Sequence, residues 1–521
     1  MKLIPFLSPA RSRRVIAAAL ALMALTSLAS ATAADDSRKP VQVVAPWEIG
    51  SLDPSKSGYV FTRMQITETL VAVDEQGALA PGLATRWQVS PDQLTWTFHL
   101  RPGSLFHDGN AVQAADVVAA LERARKNPGV LGNAPIQEVR ADQGAVVLRL
   151  SRPFAPLPAF LAHYSTQILA PGAFATDGSV KAVIGSGAYR VTSIQAPQKL
   201  LTERFKGWTG GPRPAIERVS YLAVSRGETR NLLASSGQAD LVFTHDPINF
   251  QKLKVNRNVQ LHTLAVPRSI YIKVNAAHPA LKDSATRQGL SLAIDRVGIA
   301  SAILHEPKAA ATQLFPPSMA EWHVPDLPPL RRDPVQARAL LKSAGWVASA
   351  DGMLSRDGKP FKVTLRTFSD RPELPLIATA LQAQFREIGV DLAVSVGNSS
   401  DIPAGHQDGS LELALLARNY ALVPDPVGTL LQDFGPQGGD WGAMGWSSAA
   451  LRDAIDALSS KDNPQRRSIH RGSAATVLQA ELPVIPVLWY QHSATSNQRL
   501  RNVSLDPMEM SYRLSQAQWA R

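Results

Sequence analysis

Residues 95–100, TWTFHL, alternate strictly: Trp96, Phe98 and Leu100 fall on one face, Thr95, Thr97 and His99 on the other. A period of two with aromatic residues predicts a half-buried strand. Arg101-Pro102-Gly103 and Asp108-Gly109 predict turns behind it. From Ala114 to Arg125 the period lengthens, with Val117, Ala120, Leu121 and Ala124 at i, i+3, i+4 and i+7. That spacing predicts a helix with one buried stripe. Val146–Leu150 predicts another strand, ended before Pro153.

Further on, the pattern becomes helix–strand alternation. Asp333-Pro334 offers an N-cap side chain and a proline at the first helical position, and Gly345 supplies the left-handed residue that ends a helix. A strand over 363–368, a helix over about 373–388 stopped by Gly389, a strand over 390–396 and a strand over 411–417 follow. Short strand–helix–strand connections predict right-handed crossovers in a partly parallel sheet. Such sheets bind ligands in crevices outside their strand ends. No repeat of 20–50 residues appears, so a solenoid or propeller is not expected. The antiparallel patterns early in the chain and the α/β rhythm later predict two lobes of different character.

The 521 residues are 45% hydrophobic and 19% charged, enough for two to four domains' worth of core. The first 33 residues differ from the rest. Arg11, Arg13 and Arg14 precede an uncharged run from Val15 to Ser30, and Ala31-Thr32-Ala33 provides small residues for cleavage. A positive flank, a short apolar core and an A-x-A site predict a secretory signal cut near Ala33, too short to remain as a membrane span. Ser12-Arg13-Arg14-Val15-Ile16 resembles a twin-arginine signal, so the Sec and twin-arginine routes both stay open. The chain has no cysteine, hence no disulfide, no thiolate nucleophile and no lipidated N-terminal cysteine. A mature protein soluble in a Gram-negative periplasm is expected.

The net charge is +11; Lys2, Arg11, Arg13 and Arg14 account for four positive charges of the leader, leaving +7. The basic residues are dispersed, and clusters such as 123–126 and 331–332 are short, so a nucleic-acid partner is not expected. No G-x-S-x-G, H-E-x-x-H or P-loop occurs, and His305-Glu306 runs into Pro307. A secreted hydrolase would need a reactive group of this kind, so an enzyme is not expected, nor any cofactor or bound catalytic metal. His99 and His107, with Asp108 beside the second, are read as strand and turn residues, because an Asp before Gly usually accepts backbone N–H groups.

The segment Leu83-Ala-Thr-Arg-Trp87, Ser90, Asp92, Thr95-Trp-Thr-Phe98, Leu100-Arg101, Gly103, Phe106-His-Asp-Gly109 and Ala115-Asp-Val-Val118 resembles the signature of one family. These are the solute-binding receptors of peptide- and nickel-type ABC importers. Gly185-Ser-Gly187-Ala-Tyr189, Gly207-Trp208 with Gly211 and Pro214, and Gly237-Gln-Ala-Asp240 resemble further family elements, as do Asn275, Asp283, Arg287 and Ala293-Ile-Asp-Arg296. Ala339–Trp346, Leu482-Pro483 and Ile485-Pro486 complete the series. The resemblance implies an α/β, two-lobed periplasmic-binding-protein fold of the large, three-subdomain type, with mixed sheets and an interlobe ligand cleft. By the same resemblance, residues 1–33 are the signal and residues 34–79, 179–275 and 490–521 form the first lobe. Residues 80–178 form its extra subdomain, and residues 276–489 the second lobe. The implied partners are a small-molecule ligand and the permease–ATPase complex of the inner membrane, with the receptor a monomer.

Peptide-binding members carry W-x-x-D in a second-lobe loop, where the Asp pairs with the ligand's ammonium. In the comparable segment here, Asn419 takes the tryptophan position and Leu422 the carboxylate position, while Asp425 belongs to a structural Asp-Pro pair. Leucine cannot compensate an ammonium. Nickel-type members use aromatics in this segment, and Tyr420 falls there. Their histidine has no counterpart in the 434–441 loop, and Gln167 falls where an arginine is wanted. The implied pocket residues are Tyr59, Gln167, Asn419, Tyr420, Leu422 and Trp441, a set suited to a small peptide, a peptide-like solute or a metal chelate.

Overall fold

The computed structural model describes residues 39–520 except Pro128, Gln437, Lys461 and Asp462, so the expected export signal lies outside the described residues. The elements that build the site begin with β1 (Val41–Ala45), α1 (Tyr59–Arg63), β2 (Ala84–Val89), β3 (Thr95–Leu100), α2 (Ala114–Lys126), β4 (Ile136–Asp142) and β5 (Ala145–Leu150). Next come β6 (Tyr189–Gln195), β7 (Lys199–Arg204), β8 (Arg218–Ala223), α3 (Gly227–Ser235), β9 (Leu241–Phe243) and β10 (Val259–Val274). The remainder supplies α4 (Pro334–Ser343), β11 (Lys362–Phe368), α5 (Glu373–Glu387), β12 (Asp391–Gly397), β13 (Leu413–Asn419), α6 (Pro426–Asp433) and β14 (Val484–Asn497).

The alternation of residues 95–100 yields β3 over that span, inside an antiparallel sheet of order β2-β3-β5-β4. Phe98 is fully buried, with its ring 6.3 Å from that of Trp87 and 6.2 Å from that of Trp96. The helix stripe of α2 buries Ala114, Val117, Leu121 and Ala124 beneath this sheet. Helix α4 is capped as its sequence predicts: Asp333 accepts from the N–H of Gln336. Gly389 ends the α5 segment at φ +82°, where a Cβ would lie 2.4 Å from the carbonyl oxygen of Gly352.

The large sheet has ten strands among the described residues, in the order β12-β11-β13-β10-β14-β9-β1-β8-β7-β6. β11 is parallel to β12 and β13, and β1 is parallel to β8 and β9. The chain is a two-lobed α/β protein, and β10 and β14 run antiparallel through both halves of the sheet. No helix among the described residues is long and apolar enough to cross a membrane. Three buried clusters organise the packing: one drawn mainly from residues 266–490, one from 70–170, and one from 41–243 with the C-terminal residues Leu500, Tyr512, Leu514 and Ala517. Val423 crosses from the later part of the chain into the 70–170 cluster, so the two halves are in contact.

Two departures from the sequence pattern matter. The strand expected over 411–417 is displaced to Leu413–Asn419, because Arg268 and Ser269 on β10 pair with Asn419 and Arg418 and extend the ladder past the apolar run. The strands β10 and β14, which carry no clean alternation, are the longest of the sheet at 16 and 14 residues. Pro267 and Pro486 interrupt their patterns and mark irregular register, as proline does where a ladder bond is missing.

His107 belongs to the scaffold. Its N–H donates to the carbonyl of Gly185 at 2.8 Å, and its Nε2–H donates to the carbonyl of Gly187 at 3.1 Å. Asp108 accepts from the N–H of Asn110, the turn role read from the sequence. Gly185 and Gly187 let this turn lie against residues 65–66: an added Cβ would come 2.2 Å from the Ile66 carbonyl oxygen and 2.3 Å from that of Gln65. Burial holds the His107 imidazole down at about 4. The unfolded chain protonates it near 6.5, so its contribution is present above that pH and is lost as pH falls toward 4. Between pH 7 and pH 5 the wild type should therefore lose about 2 kcal/mol more stability than His107→Gln. Urea denaturation of both proteins at the two pH values measures this; equal losses would refute it.

Candidate functional site

In open α/β sheets the crevice lies outside the carboxyl ends of the strands, where the chain order reverses. This sheet has two such points. At β1, flanked by β8 and β9, the chain leaves toward Trp47; at β11, flanked by β12 and β13, it leaves toward Arg371. The two ends face each other. The side chain of Pro372 approaches Gly227 at the start of α3, where an added Cβ would lie 3.1 Å from it.

Between these ends β10 and β14 lose register. Ala265 pairs with Gln491 and Ser269 with Trp489, leaving Val266, Pro267 and Arg268 opposite Tyr490 alone. An excess of this kind bends a strand and re-aims a side chain. Here it turns Arg268 into the interior, where it is 3% exposed. Its Nη2 meets Glu509 Oε2 at 2.5 Å. Glu509 comes from the C-terminal segment at φ +56° and is itself 5% exposed. Asn419 Nδ2, at the end of β13, donates to the same carboxylate oxygen at 2.8 Å, and His492 Nδ1 lies 3.3 Å from the other. Burial alone would raise the Glu509 carboxyl; Arg268, His492, Arg63 and Arg371 overcome it and hold the group at about 2. Burial lowers His492 to about 4, so its imidazole is neutral near pH 7.

Two further arginines complete the cluster. Arg63, on α1, donates from Nε to the carbonyl of Glu509 at 2.8 Å and covers the Trp47 ring at 4.0 Å. Arg371, after β11, donates to the Tyr490 hydroxyl at 2.8 Å. Arg268 and Arg371 lie 4.9 and 5.0 Å from the centre of the Tyr490 ring, within cation–π range. Glu373, at the start of α5, is 2% exposed, and burial raises its carboxyl.

The residues implied by resemblance are distributed around this cluster. Tyr59 is half-buried, 5.5 Å from the Arg63 guanidinium and edge-on to Tyr164 at 5.8 Å. Asn419 lies in the cluster, and its Oδ1 accepts from the N–H of Ala421. Gln167 is 4% exposed and has its amide fully engaged: Nε2 donates to Gly58 and Tyr164 carbonyls, and Oε1 accepts from Thr67. Tyr420 is fully buried against Phe315, with ring centres 5.2 Å apart, in the core of the later half. Leu422 is half-buried beside it. Trp441 is half-buried and packs edge-on to Phe368 at the end of β11, at 6.4 Å.

The loop that carries Trp441 is propped from below. Buried Lys273 donates from Nζ to the carbonyls of Gly439 and Gly442 at 2.7 and 2.8 Å. Gly439 and Gly442 are required there, since added Cβ atoms would lie 2.3 Å from the Gln432 carbonyl oxygen and 2.1 Å from that of Asp433. Beside it Arg418 grips Asp433 through two hydrogen bonds of 2.6 and 2.7 Å. Among the described residues no three His, Asp or Glu side chains come together to hold a metal ion.

Sequence reasoning missed Arg63, Arg268, Arg371 and Glu509. Arg268 carried a signal, a proline–arginine pair inside the apolar run LAVPRSIYIKV. Arg371 stands just past a strand's carboxyl end, where crevice residues belong. Glu509 lies 241 positions from Arg268, and nothing local marks it.

Residues 78–441 match the family described as bacterial extracellular solute-binding proteins, family 5 Middle. The chain is 25% identical over 508 residues to the nickel-binding periplasmic protein of Escherichia coli K12, covering 94% of this chain and 95% of that one. It is 26% identical over 370 residues to the glutathione-binding protein GsiB of Escherichia coli O1:K1, covering 68% and 69%. The structure superposes with a TM-score of 0.82 on NikA from Brucella suis in complex with Fe(III)-EDTA, at 22% identity over 92% of this chain and all of that one.

Replacing Glu509 removes the countercharge of a buried guanidinium, which costs about 3–5 kcal/mol when one partner of a buried pair is lost. Glu509→Gln should destabilise the protein by that order, and Arg268→Met combined with Glu509→Leu should recover most of the loss. Denaturation of the single and double variants checks this; additive losses would contradict it.

Proposed function

Because the chain belongs to the bacterial extracellular solute-binding proteins of family 5, we propose that it is the periplasmic receptor of an ABC importer. It captures a small peptide or peptide-like solute between its lobes and delivers it to the membrane permease. The observation that carries this reading is the pair of strand-end crevices facing each other across β10 and β14, whose register breaks between them. Two continuous strands with a local irregularity are a hinge, and lobes that close about a hinge need only bind the solute better closed than open. Likeness to a glutathione-binding protein supports the peptide-like class.

In this reading residues 1–33 are the signal, cut near Ala33, and the exported chain acts as a monomer. Residues 34–79, 179–275 and 490–521 form the first lobe, with 80–178 as its extra subdomain, and residues 276–489 form the second. Tyr59, Asn419, Leu422 and Trp441 border the cleft, while Gln167 and Tyr420 support it from within. A metal-chelate receptor is the second reading. It is favoured by the likeness to a nickel-binding protein across nearly the whole chain, and by Leu422 where an ammonium-pairing carboxylate would stand.

Thermal unfolding should be measured with glutathione, a set of di- and tripeptides, and nickel complexes of histidine and citrate. One class should raise stability by about 2.7 kcal/mol at a hundredfold excess over its Kd. Stabilisation by peptides supports the first reading, and stoichiometric nickel retained by protein from rich medium supports the second. No stabilisation by any of them, with turnover of one, would overturn both.

A further inference from the structure

The segment Asn419–Val423, which borders the cleft in the receptor reading, changes anchorage along its length. Asn419 Nδ2 donates to Glu509 of the C-terminal segment at 2.8 Å. Tyr420 turns the other way, with its ring 5.2 Å from that of Phe315 in the core of the later half, and its N–H donates to the Pro267 carbonyl at 2.7 Å. Leu422 is half-buried. Val423 then leaves its own half: 1% exposed, it is buried in the cluster that includes Leu131, Leu157 and Phe160 of the extra subdomain. Five residues are therefore fastened to the proposed first lobe at both ends and to the proposed second lobe in between.

The helix that follows is shaped for the same contact. α6 begins at Pro426 under an Asp425 cap, which accepts from the Val427 N–H at 3.0 Å. Its first turn carries no side chain at Gly428, where an added Cβ would lie 3.1 Å from the Phe160 ring and 2.8 Å from the Val423 side chain. Leu431, one turn on, packs against both the 70–170 cluster and the cluster of the later half. Beyond α6, the Ala155 N–H donates to the Ser459 carbonyl at 2.8 Å. The subdomain is bound to the first lobe by charged and backbone groups: Arg101 donates twice to Glu68, at 2.9 and 3.0 Å, and His107 donates to the carbonyls of Gly185 and Gly187. In a receptor that opens, the subdomain therefore travels with the first lobe and Val423 with the second, and the apolar contact between them is the one that parts.

We propose that Val423 and its socket in the extra subdomain form a latch, which holds a share of the empty receptor closed and sets Asn419 and Leu422 at the cleft before a solute arrives. Apolar contact is non-directional and takes no account of charge in the cleft, so the latch adds the same increment to closure whatever the solute. A solute then meets a population of which part is already competent, and its apparent Kd rises as that part falls. This inference rests on the receptor reading and deepens it: the extra subdomain takes part in closure without touching the solute.

Spin labels on the exposed residues Leu232 and Val335 should be used to measure the distance between the lobes of the whole exported protein in buffer, with no solute present. The wild type should show a short-distance population, and Val423→Ser should reduce it about threefold or more. Val423→Ala should reduce it less, and carries the test if the serine variant does not fold. Glutathione, di- and tripeptides, and nickel complexes of histidine and citrate should then be titrated calorimetrically. Every one of these that binds the wild type should bind Val423→Ser more weakly by that same factor. An unchanged short-distance population, or none in the wild type, would overturn the latch and leave the receptor reading intact. Weakening of one probe with the others unchanged would also overturn it, because Val423 would then be touching solute. Binding of none of them would overturn the receptor reading, while the distances in buffer still decide the latch.

Discussion

One buried ion pair, Arg268 with Glu509, stands where the two lobes share their strands. It joins the irregular turn of β10 to a C-terminal segment that has run back across the molecule. A charge pair out of reach of water is a poor source of stability but a strict one of geometry, since losing either partner strands the other. The carboxylate is shared by Arg268 and Asn419, with His492 of β14 3.3 Å away, so the irregular turn of β10 and the end of β13 are referenced to a single group. Arg63 donates to the backbone of the same residue, which ties α1 and the Trp47 loop to that point as well.

The rest of the architecture places chemistry around this pair. Parallel strands on each side of β1 and β11 create crevices at their carboxyl ends, and the sheet's continuity through β10 and β14 sets the crevices opposite each other. Glycines pack the supporting loops against backbone at Gly187, Gly439 and Gly442, and Lys273 holds the Trp441 loop through two carbonyls. The proposed work of this arrangement is to make the closed state conditional on what lies in the cleft.

Much of this was legible in the sequence where local chemistry decides the structure. The alternation of TWTFHL, the Asp333 cap and the stop at Gly389 each act over a few residues, and each element formed where its pattern predicts. The family resemblance was legible for a related reason: its quoted motifs are largely turns, caps and close approaches, such as Gly185 and Gly187 against residues 65–66. The site was less legible. β10 and β14 are interrupted by Pro267 and Pro486, and β13 runs two residues beyond its apolar stretch because its partner strand continues. The cluster joins positions 63, 268, 371 and 509, which only the fold brings together, so no spacing rule reaches them. Gln167 and Tyr420 show the converse: resemblance marks the positions, while their surroundings engage the Gln167 amide and enclose the Tyr420 ring.

In the proposed receptor the lobes move about the β10–β14 irregularity and a bound solute draws them together. The chain has no cysteine, so spin labels can be placed at will; Leu232 on α3 and Val335 on α4 are exposed and belong to the two proposed lobes. Their distance distribution should be measured by pulsed electron resonance in buffer and with a saturating solute probe found to bind. Lobes that close about this irregularity should give a broad distribution that collapses to a single shorter distance with the probe. A distribution that is identical with and without bound probe would contradict it.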